Sequence, residues 1–178
     1  VCESLWYKPL KHITNTGGIS RFPQYHFDMV RLGVGLYGYD PTEQEQHQLK
    51  AVGTLKSNIS QIKKIKRGET VGYGRKGLAN KDMSIAIIPI GYADGYLRAF
   101  GNGKGTMLVS DQLVSVFGNV CMDMTMLDVT NVDCKIGDEV IVFGERPSVK
   151  ELADQIGTIP YDIMTNIGQR VKRVFQSE

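Results

Sequence analysis

Across residues 51–143 the apolar residues come in short runs, each closed by turn-forming residues. Runs of that length fit strands and are too short for a packed helix. This spacing constrains the fold more than any other feature of the chain. Residues 84–90, SIAIIPI, read as a buried strand by length and β-branching. Residues 107–110 and 113–117 flank Asp111-Gln112 as the arms of a hairpin would. Residues 126–129 and 139–143 are further strands, with Gly137-Asp138 turning into the second, and Lys66-Arg67-Gly68-Glu69 is another turn. One stretch conflicts with the pattern. Val52, Leu55, Ile59, Ile62 and Ile65 fall three and four apart, a helical period. Ser57, Asn58 and Ser60 among the isoleucines favour a bent or bulged strand instead, and we take it as strand. Only the end looks helical. Ser148 and Glu151 form a capping box for a helix over residues 149–155, Gly157 stops it, and Pro160 opens a second helix through about Gly168. Residues 171–175 read as a last short strand. The expected class is mainly β, with two short helices near the C-terminus.

The first part of the chain differs. Residues 12–16 are a short β-branched run ending in Gly17-Gly18, and residues 29–38 are a second strand-like run broken by glycines. Asp40-Pro41 and the polar stretch after it, through Gln48, read as an exposed connection, and a domain boundary is placed there. With 178 residues, the chain is long enough for one ordinary domain, or one domain plus a piece of another. It starts at Val1 rather than Met, as a piece of a longer polypeptide would. A net charge of +2 gives no argument for nucleic acid or a membrane surface. The three cysteines, Cys2, Cys121 and Cys134, are odd in number and lack CxxC spacing, which fits a reducing cytoplasm better than a disulfide framework. No apolar stretch reaches membrane-spanning length, and no signal segment opens the chain.

Few motifs carry chemistry by spacing alone. Gly72-Tyr73-Gly74-Arg75-Lys76-Gly77 fits G-x-G-x-x-G, but a dinucleotide site needs a helix next, and a strand follows. Gly103-Lys104-Gly105-Thr106 lacks the glycine spacing and lysine-hydroxyl pair of a phosphate-binding loop. Tyr73 reads either as an ordinary hairpin aromatic or as a phenol used as acid or base. A free tyrosine has a pKa of about 10, so the second role needs nearby positive charge, and Arg75 and Lys76 are close in sequence. Arg31, inside an apolar run, is either half of a structural ion pair or a ligand-facing arginine at a strand end. His12, His26 and His47 lack metal-ligand spacing, so no metal site is expected. Asp94 and Asp123 stay open between an acid–base pair and residues that brace loops.

Several of these segments fall in a particular order: His12-Ile13-Thr14-Asn15-Thr16; Asp28-Met29-Val30-Arg31-Leu32-Gly33 with Leu36-Tyr37-Gly38; Val71-Gly72-Tyr73-Gly74; Gly91-Tyr92-Ala93-Asp94-Gly95-Tyr96 with Arg98; Gly118-Asn119-Val120-Cys121-Met122-Asp123; and Pro160-Tyr161 with Arg170-Val171. In that order they resemble the alanine racemase family, pyridoxal-phosphate enzymes with an N-terminal (β/α)8 barrel and a C-terminal mostly-β domain. The resemblance implies that residues 1–46 are a remnant of the cofactor-binding barrel and that residues 47–178 are the β-barrel-like C-terminal domain. It implies interconversion of L- and D-alanine for peptidoglycan synthesis. Tyr73 resembles the family's catalytic tyrosine, the base on the L-amino-acid side. Arg31 resembles the arginine at the pyridine nitrogen, and His12 the histidine that braces it. Tyr161, Thr16 and the backbone at Gly33 and Val34 resemble phosphate contacts. The Thr16 position is usually serine in the family. Met122 resembles a residue whose N–H holds the substrate carboxylate, and Tyr92 and Arg98 resemble residues of the substrate corridor.

One departure limits these expectations. The family's Schiff-base lysine lies in a motif like K-A-x-A-Y-G, and no lysine here, Lys8 and Lys11 included, sits in one. The chain is expected to be inactive alone. The family's head-to-tail homodimer further implies that Tyr73 and Met122 act in trans, while Arg31 and Tyr161 serve their own subunit's cofactor. Rival readings are a racemase for serine or another amino acid, and a non-catalytic β-domain for dimerisation or regulation. A fold-related decarboxylase fits the Tyr73 and Cys121-Met122-Asp123 segments less well.

Overall fold

Asn15 organises the first part of the chain. Its side-chain oxygen accepts the Gly18 N–H at 3.0 Å and caps helix α1, Thr16–Arg21. The structure, a computed structural model, describes residues 5–176, so Cys2 lies outside the described residues. These divide into two compact units, which meet in sequence between Gly53 and Thr54. In the first unit, Asn15 also forms a parallel bridge with Arg31, whose N–H donates to Thr14 O at 3.0 Å. The two strand-like runs expected here reduce to that bridge. Gly17 and Gly18, expected to end a strand-like run, sit inside α1, because the Asn15 cap starts a helix there. Val34–Tyr37 is a 3-10 turn ended by Gly38 at φ +83°. A parallel strand needs neighbours and cover on both faces, whereas Leu10, Ile13, Leu32 and Leu36 are exposed. The polar connection that follows winds around buried Asp40, whose carboxylate accepts from Thr42 N at 2.9 Å and Glu45 N at 2.8 Å. Burial pushes the Asp40 pKa up, but the hydrogen bonds from Glu45 and Thr42 and the charge of Arg21 outweigh it and hold the carboxyl below its usual range.

The second unit is built from strands β1 (Leu55–Asn58), β2 (Gln61–Ile65), β3 (Thr70–Val71), β4 (Gly77–Leu78), β5 (Met83–Ile88), β6 (Thr106–Val109), β7 (Gln112–Ser115), β8 (Thr125–Asp128) and β9 (Glu139–Phe143), then helices α2 (Val149–Ile156) and α3 (Pro160–Thr165). One antiparallel sheet has the order β1-β9-β6-β7 and another β2-β5-β8, while β3 and β4 form a small ribbon. The two larger sheets join on both sides. Past β7, Val116 bridges Leu127 of β8. On the other side the chain itself turns the corner from β1 to β2. There Ile59 N donates to Asp138 O at 2.9 Å and Ser60 N to Ile87 O at 2.9 Å. The result is barrel-like closure around a core that includes Ile59, Ile88, Leu127 and Val142.

The corner explains the spacing that mimicked a helix. Strand residues three apart point to opposite faces. Ile62 packs on the large core, and Ile65 on a smaller one formed by Ala79, Met83, Ile85, Cys121 and Met126. β5 is buried on both faces for the same reason: Ala86 and Ile88 face the large core, Met83 and Ile85 the small one. The small core also takes in Val71, at the end of β3.

Local signals set most ends. Glu69 N donates to Lys66 O, with Gly68 at φ +89° closing the expected turn. The β6–β7 turn lies one residue earlier than expected, at Ser110-Asp111, both at positive φ. A two-residue turn of that hand matches the strand twist and leaves Gln112 paired with Val109. The α2 capping box is present, with Gly157 at φ +70° after it. α3 stops at Thr165, short of Gly168. The last strand, expected over residues 171–175, does not form; the segment is irregular and mostly exposed. Within the large core, Tyr96 stacks on Phe100 with ring centroids 4.4 Å apart. Its buried hydroxyl, pressed against Gly105, has no hydrogen-bond partner among the described residues.

Candidate active site

Tyr73 stands on the turn between β3 and β4, its side chain well exposed. The turn runs through the left-handed region at Gly72 (φ +77°), Gly74 (φ +68°) and Arg75 (φ +53°). Glycine adopts such angles freely, and a Cβ at Gly72 would also meet Met126 Cε at 3.0 Å. Arg75 Nε donates to Thr70 Oγ1 at 3.0 Å, which ties the guanidinium to the strand before the tyrosine. The strand–turn–strand setting of Gly72-Tyr73-Gly74 is that of a ribbon, not of a dinucleotide loop.

Tyr92 and Met122 lie on two loops that are bonded to each other. Tyr92 N donates to Cys121 O at 3.1 Å and Ala93 N to Met122 O at 3.0 Å. The loops approach so closely that a Cβ on Gly91 would strike both carbonyl groups. Asp94 Oδ2 accepts from Gly91 N at 2.9 Å. Arg170 reaches in from beyond α3: Nη2 donates to Asp123 Oδ1 at 2.7 Å, and Nε lies 3.4 Å from Asp94 Oδ1. The Asp123 hydrogen bond and the Asp94 charge push the arginine's pKa up. Asp94 and Asp123 therefore brace the two loops through one guanidinium. Met122 and Tyr92 are exposed, as is Arg98 on the 3-10 turn Arg98–Phe100. Tyr161 occupies the first turn of α3, its carbonyl accepting from Thr165 Oγ1 at 2.7 Å.

The first unit brings its own set together. Arg31 is exposed and donates from Nη2 to Ile13 O at 3.0 Å, next in sequence to exposed His12. The bond goes to a backbone carbonyl, not to a carboxylate. The Thr16 hydroxyl, on a buried residue, accepts from Gly33 N at 2.9 Å and Gly35 N at 3.4 Å, and Val34 opens the 3-10 turn beside them. Apart from that hydroxyl, 3.7 Å away, the space where Gly33 would carry a Cβ is open. Among the described residues no group of His, Cys, Asp and Glu is placed to hold a metal, and no helix is long and apolar enough to cross a membrane.

Residues 52–175 match the family model for the alanine racemase C-terminal domain, and residues 2–41 match that for the N-terminal domain. The chain belongs to the alanine racemase family. It is 43% identical to the alanine racemase of Clostridium perfringens over 176 residues, covering 94% of this chain and 45% of that protein. The alanine racemase of the D-cycloserine-producing Streptomyces lavendulae superposes with a TM-score of 0.89 at 32% identity, over 95% of this chain and 46% of the other. A Bartonella henselae alanine racemase with covalently bound pyridoxal phosphate gives 0.86 at 34% identity, over 92% and 46%. The chain thus spans about half the length of the racemases it matches.

Two features of the structure are not foreshadowed by the residues alone. The contact of Arg170 with Asp94 and Asp123 joins residues far apart in the chain, and no spacing rule links them. Asn119 lay inside a recognised segment without a role; its amide donates from Nδ2 to the Tyr73 carbonyl at 2.9 Å and accepts at Oδ1 from Asn102 Nδ2 at 3.0 Å. Asn119 immediately follows a turn glycine, a position that often holds an amide side chain near loop backbone, but only the fold names its partner.

Proposed function

We propose that this chain supplies the C-terminal part of a pyridoxal-phosphate-dependent alanine racemase, an isomerase that interconverts L- and D-alanine and feeds D-alanine to peptidoglycan in the cytoplasm. The observation that carries the reading is the exposed Tyr73 phenol on a glycine-flanked turn, in a chain that belongs to this family. The cofactor, when bound, withdraws electrons from the amino acid's α-carbon and so makes its proton removable. The residues present suit such a group. Within the first unit, the Thr16 hydroxyl, which accepts from Gly33 N and keeps its own proton to donate, and the backbone at Val34 beside it leave a polar space open at Gly33 that would take a phosphate. Tyr161 is proposed as a further phosphate-binding residue on its resemblance to the family's tyrosine. Arg31, whose Nη2 donates to Ile13 O, would face the pyridine nitrogen, and His12 is proposed to brace it. A guanidinium holds its protons too tightly to pass one to that nitrogen, which would make the ring a weaker electron sink and limit side reactions.

Tyr73 takes or returns the α-proton at its phenol oxygen. The Met122 N–H holds the substrate carboxylate, and Tyr92 and Arg98 line the approach. In a head-to-tail homodimer Tyr73 and Met122 serve the partner subunit's cofactor. Because no lysine here matches the attachment motif, racemisation needs the other half of the enzyme. The test mixes this chain with a separately expressed racemase N-terminal half and pyridoxal phosphate. Activity is expected only in the mixture, and Tyr73→Phe is expected to lower turnover about 100-fold or more, with the cofactor's absorbance retained. Stable association without racemisation would favour a non-catalytic module. Unchanged turnover in Tyr73→Phe would remove the tyrosine from the chemistry. Competition between alanine and serine in the active mixture fixes the substrate.

A further inference from the structure

Three loops meet at Asn119. Its own loop runs from Gly118 toward Met122, and Tyr73 lies on the β3–β4 turn. Asn102 follows the 3-10 turn Arg98–Phe100. Backbone contacts already bring the three close. Asn102 N donates to Gly118 O at 2.7 Å. A Cβ on Gly118, at φ +72°, would meet Gly77 N at 3.1 Å and Val71 O at 3.3 Å, the two ends of the Tyr73 turn. The Asn119 side chain adds a polar link across this junction, with Nδ2 donating to Tyr73 O at 2.9 Å and Oδ1 accepting from Asn102 Nδ2 at 3.0 Å. The two ends of that amide are not interchangeable: a carbonyl oxygen toward Tyr73 O would be repelled, and Asn102, by donating to the oxygen, fixes the donor end toward Tyr73. Within itself the Tyr73 turn is held by the Arg75 N–Gly72 O and Arg75 Nε–Thr70 Oγ1 bonds, and Asn119 is the side chain that ties it to the neighbouring loops. Gly72, Gly74 and Arg75 all take left-handed angles, and the ribbon beneath is only two residue pairs long.

We infer that Asn119 is a positioning residue: through the Tyr73 carbonyl it sets the phenol in register with the Met122 loop, and Asn102 orients the amide that does so. For activity this rests on the racemase reading; for the loop itself it does not.

The experiment has two arms. In the chain alone, amide exchange within the Tyr73 turn and tryptic cleavage after Arg75 or Lys76 are measured for Asn119→Ala, Asn119→Asp and Asn102→Ala. Ser148→Ala, which removes the α2 cap far along the chain, serves as a control of similar stability loss. Loss of one neutral hydrogen bond predicts about a five-fold acceleration in Asn119→Ala. Asn119→Asp, which keeps the size and the acceptor but loses the donor, is expected to be at least as fast. Asn102→Ala is expected to move in the same direction by less. Wild-type rates in Asn119→Asp, or equal acceleration in Ser148→Ala, would overturn the inference. In the chain completed with a racemase N-terminal half, Asn119→Asp is expected to lower kcat about ten-fold, with the alanine KM changed less than about two-fold. Unchanged kcat would overturn the positioning role. No racemisation by the completed wild-type protein would instead defeat the racemase reading, and the exchange arm would still decide whether Asn119 holds the turn.

Discussion

Replacing Tyr96 by phenylalanine should make this protein more stable, and increasingly so at high pH. The ring stacks on Phe100 at 4.4 Å, with its plane tilted by 11°, and phenylalanine keeps that contact. What is lost is a buried hydroxyl with no partner among the described residues. Burying such a group unsatisfied costs about 1–3 kcal/mol, and lost dispersion against Gly105 offsets part of this, so a gain of about 1 kcal/mol is expected at pH 7. The alkaline side adds a second effect. Burial pushes the Tyr96 pKa up, well above the usual tyrosine range. The folded chain therefore keeps a proton that the unfolded chain releases above pH about 10. Wild-type stability is drained as pH rises past that point, by about 1.4 kcal/mol at pH 11, and Tyr96→Phe escapes this. Exposed tyrosines titrate alike in both proteins and cancel in the difference. Urea unfolding followed by circular dichroism at pH 7, 9 and 11 measures it. A less stable variant at pH 7, or a stability difference that stays flat to pH 11, would refute the argument.

Two further outcomes follow from the loops. Gly91→Ala drives a Cβ into the Cys121 and Met122 carbonyls. Losing the Tyr92 and Ala93 backbone bonds, together with overpacking, should cost about 3–5 kcal/mol in urea unfolding, and a loss below about 1 kcal/mol would mean the loops separate freely. Asp40→Asn puts a donor where Thr42 and Glu45 donate. Amide exchange at Glu45 should rise about ten-fold or more at pH 7. Because the folded-state pKa of Asp40 is lowered, the wild-type advantage is complete above the ordinary carboxylate pKa and fades as pH falls through the lowered value. An advantage that persists unchanged in strong acid would contradict the carboxylate's role.

What could be read in advance was what short-range chemistry decides. The Ser148–Glu151 box and the Lys66–Glu69 turn each depend on residues three apart, and both formed. The Ile62 and Ile65 spacing was ambiguous because β2 sends one isoleucine to each of two cores, so its apolar residues do not alternate. The strand expected over residues 171–175 had the β-branched composition but found no partner strand, and pairing is a property of the sheet rather than of the segment. In the first unit the runs around Arg31 pair only as an isolated bridge. At the site, Tyr73, Met122 and Arg31 stood out because they sat in recognisable segments. Arg170 and Asn119 sat in such segments too, but without a role, because their contacts cross 47 and 46 residues of chain.

The corner at Ile59 also bears on the order in which the protein is made. β1 precedes β2 in the chain yet pairs with β9, and the Lys56–Glu139 ion pair spans 83 residues. β2 finds β5 far sooner. During synthesis, β1 therefore leaves the ribosome before its partner exists and must wait with its ladder groups unpaired until β9 emerges. Lysines at 63 and 64 of β2, itself a sheet edge, and Lys56 within β1 place charge on these waiting strands, where pairing with another chain would otherwise be easiest.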